Sequence, residues 1–158
     1  MWVLAGLLAL GPLSACSERQ ASSGATREDT AVAGTGPHGL DPAVIARGAG
    51  IYRQHCAACH GANAEGTPNW HRQGPDGKYP PPPLDGSAHA WHHPMSALKQ
   101  VIRDGTVKLG GNMPGWKDKL SDQDIEALVA WVQSLWPEEL YRSWQAMDEK
   151  ARAGQAAY

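Results

Sequence analysis

The sequence has no phenylalanine, only three cysteines and no excess of basic over acidic residues. Its formal net charge is −2, from 14 basic and 16 acidic side chains, which offers nothing that would bind nucleic acid. It also lacks a long apolar run, because the apolar start at residues 1–15 is shorter than the roughly 18 residues that span a bilayer as a helix. These absences argue against a nucleic-acid-binding protein and against a transmembrane helix at residues 1–15.

Glycine, proline and tryptophan are abundant instead, with 18 Gly, 12 Pro and 7 Trp. So many glycines and prolines predict extended loops and turns. The length of 158 residues suits one small globular domain with additional segments. Such a domain buries little apolar surface of its own, so a buried cofactor would supply the missing contacts.

The first 40 residues carry the pattern of an exported protein. Residues 1–15 are apolar, and Leu13-Ser14-Ala15-Cys16 is similar to a bacterial lipobox, although no basic residue precedes the apolar run, as if the true start lay upstream. We predict a signal peptide at 1–15, a lipidated Cys16 and a flexible tether at 16–40 with a reach of roughly 25–30 Å. The predicted location is the periplasmic side of a bacterial membrane, with a lipid anchor.

The most specific motif is Cys56-Ala57-Ala58-Cys59-His60, because C-x-x-C-H is the sequence that attaches c-type haem. Cys56 and Cys59 share a helix face, so each can add to one haem vinyl group while His60 ligates the iron. The C-x-x-C pair alone also occurs in thioredoxin-like proteins and in zinc sites, and the histidine shifts the balance towards haem. With Cys16 lipidated, no cysteine remains for a disulfide.

Helical patterns flank this motif, with loops between them. We predict a helix that starts at Asp41-Pro42 and ends at the haem motif, a loop at 61–86, and a helix from Pro94 to Gly105. A capping box at Ser121 and Asp124 predicts another helix, and Pro137 marks a bend or restart before the last one. The fold class is therefore all-α, with a haem domain at 41–136 and a helical extension at 137–158. Gly48 is costly in a helix interior, which indicates a close crossing by another helix.

Met113 is the candidate for the second iron ligand. It is the methionine that lies in a loop, between Gly111 and Pro114-Gly115, and its thioether is a soft donor that favours Fe(II). His89, His92 and His93 provide an alternative, either as a copper or zinc site or as a replacement ligand for the iron. Solvated loop histidines are the more common case.

Three motifs in this order, C-A-A-C-H, P-P-L-D-G and N-M-P-G-W, resemble a monohaem class I cytochrome c. The resemblance implies three to five helices wrapped around one haem c held by two thioethers, with long loops. It also implies a contact of Gly48 and Tyr52 with Trp131. The implied site residues are Cys56 and Cys59 as thioethers, His60 as proximal ligand, Met113 as distal ligand, Pro82 as acceptor for His60 Nδ1, and Leu84 as a contact of the haem.

The predicted function is that of a one-electron carrier rather than an enzyme. Such a protein would serve a periplasmic or membrane-surface respiratory chain, as a monomeric domain that meets redox partner proteins and is held at the membrane by its lipid. The alternative is a haem-bearing sensor, or a subunit of an oxidase or dehydrogenase, with a displaceable sixth ligand. The two differ in whether the iron keeps both axial ligands in both oxidation states.

Overall fold

The computed structural model describes residues 36–155, so the predicted signal peptide, the lipidation site Cys16 and most of the tether lie outside it. Within this range the chain forms helices and no strands, and the all-α fold class is confirmed. None of these helices combines the length and apolar character needed to span a membrane. The helices are α1 (Pro42–His55), α2 (Ala57–His60), α3 (Met95–Asp104), α4 (Asp122–Ser134) and α5 (Glu138–Gln155), with 3-10 turns at Pro37–Gly39, Ala90–His92 and Val107–Leu109.

Local capping signals mark the starts of α1 and α4. The Asp41 carboxylate accepts a hydrogen bond from the Ala43 N–H at 2.8 Å, and Pro42 is the first residue of α1. Ser121 and Asp124 form both hydrogen bonds of the predicted capping box at the start of α4. The start of α3 differs by one residue from the prediction, because Pro94 is the N-cap and Met95 is the first residue of the helix.

Helices α1 and α4 cross in direct backbone contact at Gly48. A Cβ atom added there would lie 1.9 Å from the Ala127 carbonyl oxygen, so only glycine allows this approach. One turn later, the Tyr52 and Trp131 rings lie 4.1 Å apart. The predicted crossing of Gly48 and Tyr52 against Trp131 is confirmed.

The helix that carries the cysteine motif is interrupted at Cys56. The sequence predicts one helix through Cys59, but α1 ends at His55 and α2 begins at Ala57, with Cys56 at φ −118° between them. Main-chain hydrogen bonds run through the break, because the Cys56 N–H bonds to Tyr52 O at 2.9 Å and the His60 N–H to Cys56 O at 2.9 Å. The helical hydrogen-bond pattern therefore continues through the break.

Helix α5 packs over the segment that leads into α3. The Trp144 indole N–H donates to the His93 carbonyl at 2.9 Å, and the buried Asp148 accepts from the Met95 N–H at 2.7 Å. Asp148 also pairs with Arg152 at 3.1 Å. The extension beyond α4 thus supplies the side-chain cap that the N-terminus of α3 lacks locally.

The end of the predicted tether, at residues 36–40, belongs to the folded structure. The His38 ring stacks on Tyr141 with centroids 4.1 Å apart, and its Nδ1 lies 2.7 Å from Glu138. Its Nε2 lies 3.0 Å from the Trp136 carbonyl oxygen. The prediction of a tether through residue 40 is therefore too long, because contacts with α5, distant in sequence, hold this segment.

We predict opposite effects of alanine at two neighbouring glycines of α1. Gly48→Ala forces a methyl group into the Ala127 carbonyl and should lower the free energy of unfolding by about 3 kcal/mol. Gly50→Ala is the control, since only an Arg53 guanidinium nitrogen comes within 4.0 Å, and it should raise stability by about 0.5–1 kcal/mol. Urea unfolding of the haem-loaded protein measures both; equal midpoints for Gly48→Ala and wild type would contradict the crossing.

Candidate haem site

Cys56 and Cys59 are free thiols on the first turn after α1. Cys56 is half-buried and packs against the cluster formed by Tyr52, Ala64 and Leu128, whereas Cys59 is exposed. Burial, followed by the nearby Cys59, raises the pKa of the Cys56 thiol to about 11. At neutral pH Cys56 is therefore a protonated thiol.

The His60 imidazole is fixed by one hydrogen bond. Its Nδ1 lies 2.9 Å from the Pro82 carbonyl oxygen. Because a carbonyl only accepts, Nδ1 carries the proton and Nε2 keeps its lone pair. Burial lowers the pKa of His60, and the bond to Pro82 opposes this shift. The result is a neutral imidazole with Nε2 available as a metal ligand.

The loop after His60 folds back to place the Pro82 carbonyl. The Gly66 N–H bonds to His60 O at 2.7 Å, and a Cβ on Gly66 would lie 2.3 Å from Pro83 N. Leu84 is held on both sides, since its N–H donates to Ala64 O and its carbonyl accepts from Trp136, each at 2.8 Å. Leu84 also packs against the same cluster as Cys56.

Tyr52 joins the helix crossing to this loop. Its hydroxyl donates to the Gly61 carbonyl at 2.7 Å, directly after His60, and its side chain is fully buried. Burial raises the pKa of Tyr52, so the phenol stays protonated and keeps donating.

Met113 is half-buried in the loop between α3 and α4. This loop meets the cysteine motif through Trp116, whose ring lies 5.0 Å from the ring of His55, the residue before Cys56. The structure therefore brings the Met113 segment to the end of α1. The prediction that Met113 is an iron ligand rests on its position in this loop and on the contact between Trp116 and His55.

The histidines of the loop before α3 do not gather into a metal site. His89 contacts the rings of Trp70 and His93, at 5.1 and 5.7 Å, and His92 lies against Trp91. Across residues 36–155 no three His, Cys, Asp or Glu side chains converge to hold a metal ion. The copper or zinc alternative finds no support in this geometry.

The residues fit a covalently attached haem. Two free thiols three positions apart, an imidazole with a free Nε2 and a loop thioether form the donor set that haem c uses. Cys56 and Cys59 would hold the haem, and His60 and Met113 would be the protein ligands of its iron.

A family model described as "Cytochrome C oxidase, cbb3-type, subunit III" matches residues 43–132. The chain belongs to this family. It is thus a class I-like cytochrome c, as the three sequence motifs indicated, and its domain serves haem-based electron transfer. Helix α5 and residues 36–40 lie beyond the matched range.

Individual relatives include oxidase subunits and a small cytochrome. The chain is 32% identical over 95 residues to the "Cbb3-type cytochrome c oxidase subunit CcoP" of Azospirillum sp. (strain B510), covering 60% of this chain and 30% of that protein. It is 33% identical over 87 residues to "Cytochrome c6" of Bryopsis maxima, covering 54% and 84%. The chain therefore spans less than a third of the CcoP relative. No solved structure gave a significant match.

Sequence reasoning missed three residues that shape the site. Gly66 lies against the Pro82-Pro83 peptide, Trp136 holds Leu84, and Thr106 contacts Met113. Gly66 is one of several loop glycines, and Trp136 continues the apolar spacing of α4 two residues beyond its end, so neither stands out in the sequence. Thr106 follows the predicted cap at Gly105, which is a weak signal for a loop contact.

We predict that the fold depends on haem attachment, because Cys56 sits in one of the two apolar clusters and the attached group would complete this packing. Cys56→Ala combined with Cys59→Ala should accumulate to a small fraction of the wild-type level and lose haem staining on denaturing gels. Ala58→Ser changes an exposed side chain between them and should keep both. A cooperatively folded double variant of similar stability would contradict this dependence.

Proposed function

We propose that the chain is a one-electron carrier with one covalently bound haem c ligated by His60 and Met113. The orientation of His60 carries the proposal, because the Pro82 carbonyl leaves Nε2 of a neutral imidazole as the ligand atom beside Cys56 and Cys59. The bound haem would supply one-electron exchange between ferrous and ferric iron. This role requires no general acid or base, because no bond of a substrate is made or broken.

The chain's own residues have distinct tasks in the proposed site. Cys56 and Cys59 would hold the haem covalently, each thiol S–H adding across one vinyl double bond so that no group leaves. His60 keeps one orientation through Pro82, which also makes its imidazole a stronger donor. Met113 would supply its thioether as the second protein ligand of the iron and would thereby keep solvent and small ligands from binding there.

The oxidase-subunit relatives favour a second candidate, an electron-entry subunit of an oxidase complex. The two candidates predict different assemblies. A carrier runs alone on native gels of solubilised membranes, whereas a subunit migrates with a larger haem-containing complex. In both cases the partners are redox proteins, and the chain itself is not the catalytic component.

We further propose an exported protein, anchored at the periplasmic side of a bacterial membrane through a lipid on Cys16. The support is the lipobox-like Leu13-Ser14-Ala15-Cys16 and the polar segment that follows it. A lipidated terminus with two or three acyl chains binds firmly, whereas a single chain binds only marginally. The haem domain would then exchange electrons close to the membrane surface.

Replacing Met113 tests the carrier proposal. Met113→His should lower the reduction potential by on the order of 0.1 V, since imidazole stabilises ferric iron more than thioether does, and keep the iron low-spin. Met113→Ala should open the site, so that reduced protein binds carbon monoxide and the near-infrared sulphur-to-iron band disappears. Met147→Leu, in α5, is the control and should change neither. An unaltered spectrum and potential in Met113→Ala would reject Met113 as ligand.

Replacing Cys16 tests the anchor. Cys16→Ser should move the protein from the membrane pellet to the soluble fraction, because no acyl chains are attached. Ser22→Ala, within the same polar segment, should leave it in the pellet. Mass spectrometry of the mature N-terminus provides the second measurement, and cleavage at another position would refute the lipidation site.

A further inference from the structure

The main-chain N–H and the main-chain carbonyl of Met113 are both hydrogen-bonded to one residue, Thr106. The Thr106 N–H donates to the Met113 carbonyl at 2.9 Å, and the Met113 N–H donates to Thr106 Oγ1 at 3.1 Å. The second bond depends on the threonine side chain. The backbone of the methionine is thus held from both sides at the point where its side chain leaves the chain.

Thr106 is itself anchored at the end of α3. It follows Gly105, the C-cap at φ 70°, and a Cβ on Gly105 would lie 2.5 Å from Met113 O, from the Pro114 carbonyl carbon and from Gly115 N. The Met113–Gly115 backbone therefore lies directly on Gly105, where only glycine fits. This contact fixes the distance between Met113 and α3.

Other bonds restrain the neighbours of Met113: the Asn112 side-chain amide donates to the Asp76 carboxylate at 3.2 Å, and the Gly111 N–H donates to the Thr106 carbonyl at 2.9 Å. The tip between Thr106 and Met113 carries Val107 and Leu109, whose side chains are 60% and 82% exposed. The Trp116 N–H bonds to Ile102 O at 3.0 Å, which fixes the chain after the methionine. The hydroxyl of Thr106 is therefore the one side-chain bond, among the described residues, that holds the Met113 main chain.

We infer that Thr106 is a positioning residue for the Met113 sulphur: its hydroxyl fixes the Met113 backbone and thereby limits dissociation of the thioether from iron. This inference rests on the proposed ligation by Met113. Without the hydroxyl bond, the methionine segment samples open conformations more often, and an external ligand reaches the iron in proportion to the open fraction.

The test uses the full chain with haem attached and oxidised. Imidazole is titrated against wild type, Thr106→Val and Thr106→Ser, and displacement is followed by loss of the near-infrared sulphur-to-iron band. Thr106→Val has the same shape without the acceptor and should raise the apparent affinity for imidazole about five- to tenfold, the effect of one hydrogen bond. Thr106→Ser keeps the hydroxyl and should stay within about twofold of wild type.

Two more variants sharpen the result. Thr67→Val is the matched control, because this half-buried loop threonine uses its hydroxyl for no hydrogen bond in the described chain, and imidazole affinity should not change. Gly111→Ala is an independent perturbation, since its Cβ would lie 2.2 Å from Thr106 Oγ1 and push the hydroxyl away from Met113. It should raise imidazole affinity as Thr106→Val does, and it decides the question if Thr106→Val does not accumulate.

The outcomes separate the two proposals. A wild-type protein without the sulphur-to-iron band overturns ligation by Met113, and the role of Thr106 with it. A wild-type protein with the band, together with unchanged imidazole affinity in Thr106→Val and Gly111→Ala, overturns only the positioning role. A lower melting temperature in Thr106→Val with unchanged imidazole affinity shows a purely structural residue and also overturns it.

Discussion

The backbone contact of α1 with α4 at Gly48 is the constraint on which the site depends. It sets the distance at which Tyr52 meets Trp131, and Tyr52 in turn donates its hydroxyl to the carbonyl of Gly61. Gly61 directly follows His60, so the helix crossing fixes where the imidazole leaves the chain. A glycine that costs about 1 kcal/mol in an isolated helix is stabilising in this fold, because it permits the whole series of contacts.

Polar side chains from the segment between α4 and α5 and from α5 itself bind main-chain groups of the loops. Segments rich in proline and glycine leave many carbonyls and N–H groups without regular partners, and each must be satisfied where it is buried. Trp136 and Trp144 donate to the carbonyls of Leu84 and His93, and Asp148 accepts from Met95. At these two positions the indole N–H does work that a phenylalanine side chain could not do.

Local signals predicted the starts of α1 and α4 and the motif on which the proposed site is built. The cap at Asp41, the capping box at Ser121 and the C-x-x-C-H motif each act within a few residues, so the sequence alone reveals them. His38, Asp148 and Gly66 remained hidden, because their roles depend on partners that only the tertiary fold brings close. The break at Cys56 was also missed, since the helical spacing of the cysteines continues through it.

The contact of His38 with Trp136 and Glu138 has a consequence for the order of folding. It joins residues 98 and 100 positions apart, so it closes a loop around nearly the whole haem domain. Because the chain is synthesised from its N-terminus, α1 and the cysteine motif can form early, but the contact of His38 with Glu138 must wait for α5. The Pro82–Leu84 loop likewise lacks its hydrogen bond from the Trp136 indole until residue 136 has been made. The side of the site formed by this loop is consequently completed after the helix that leads to the cysteines, because its partner lies more than 50 residues further along the chain.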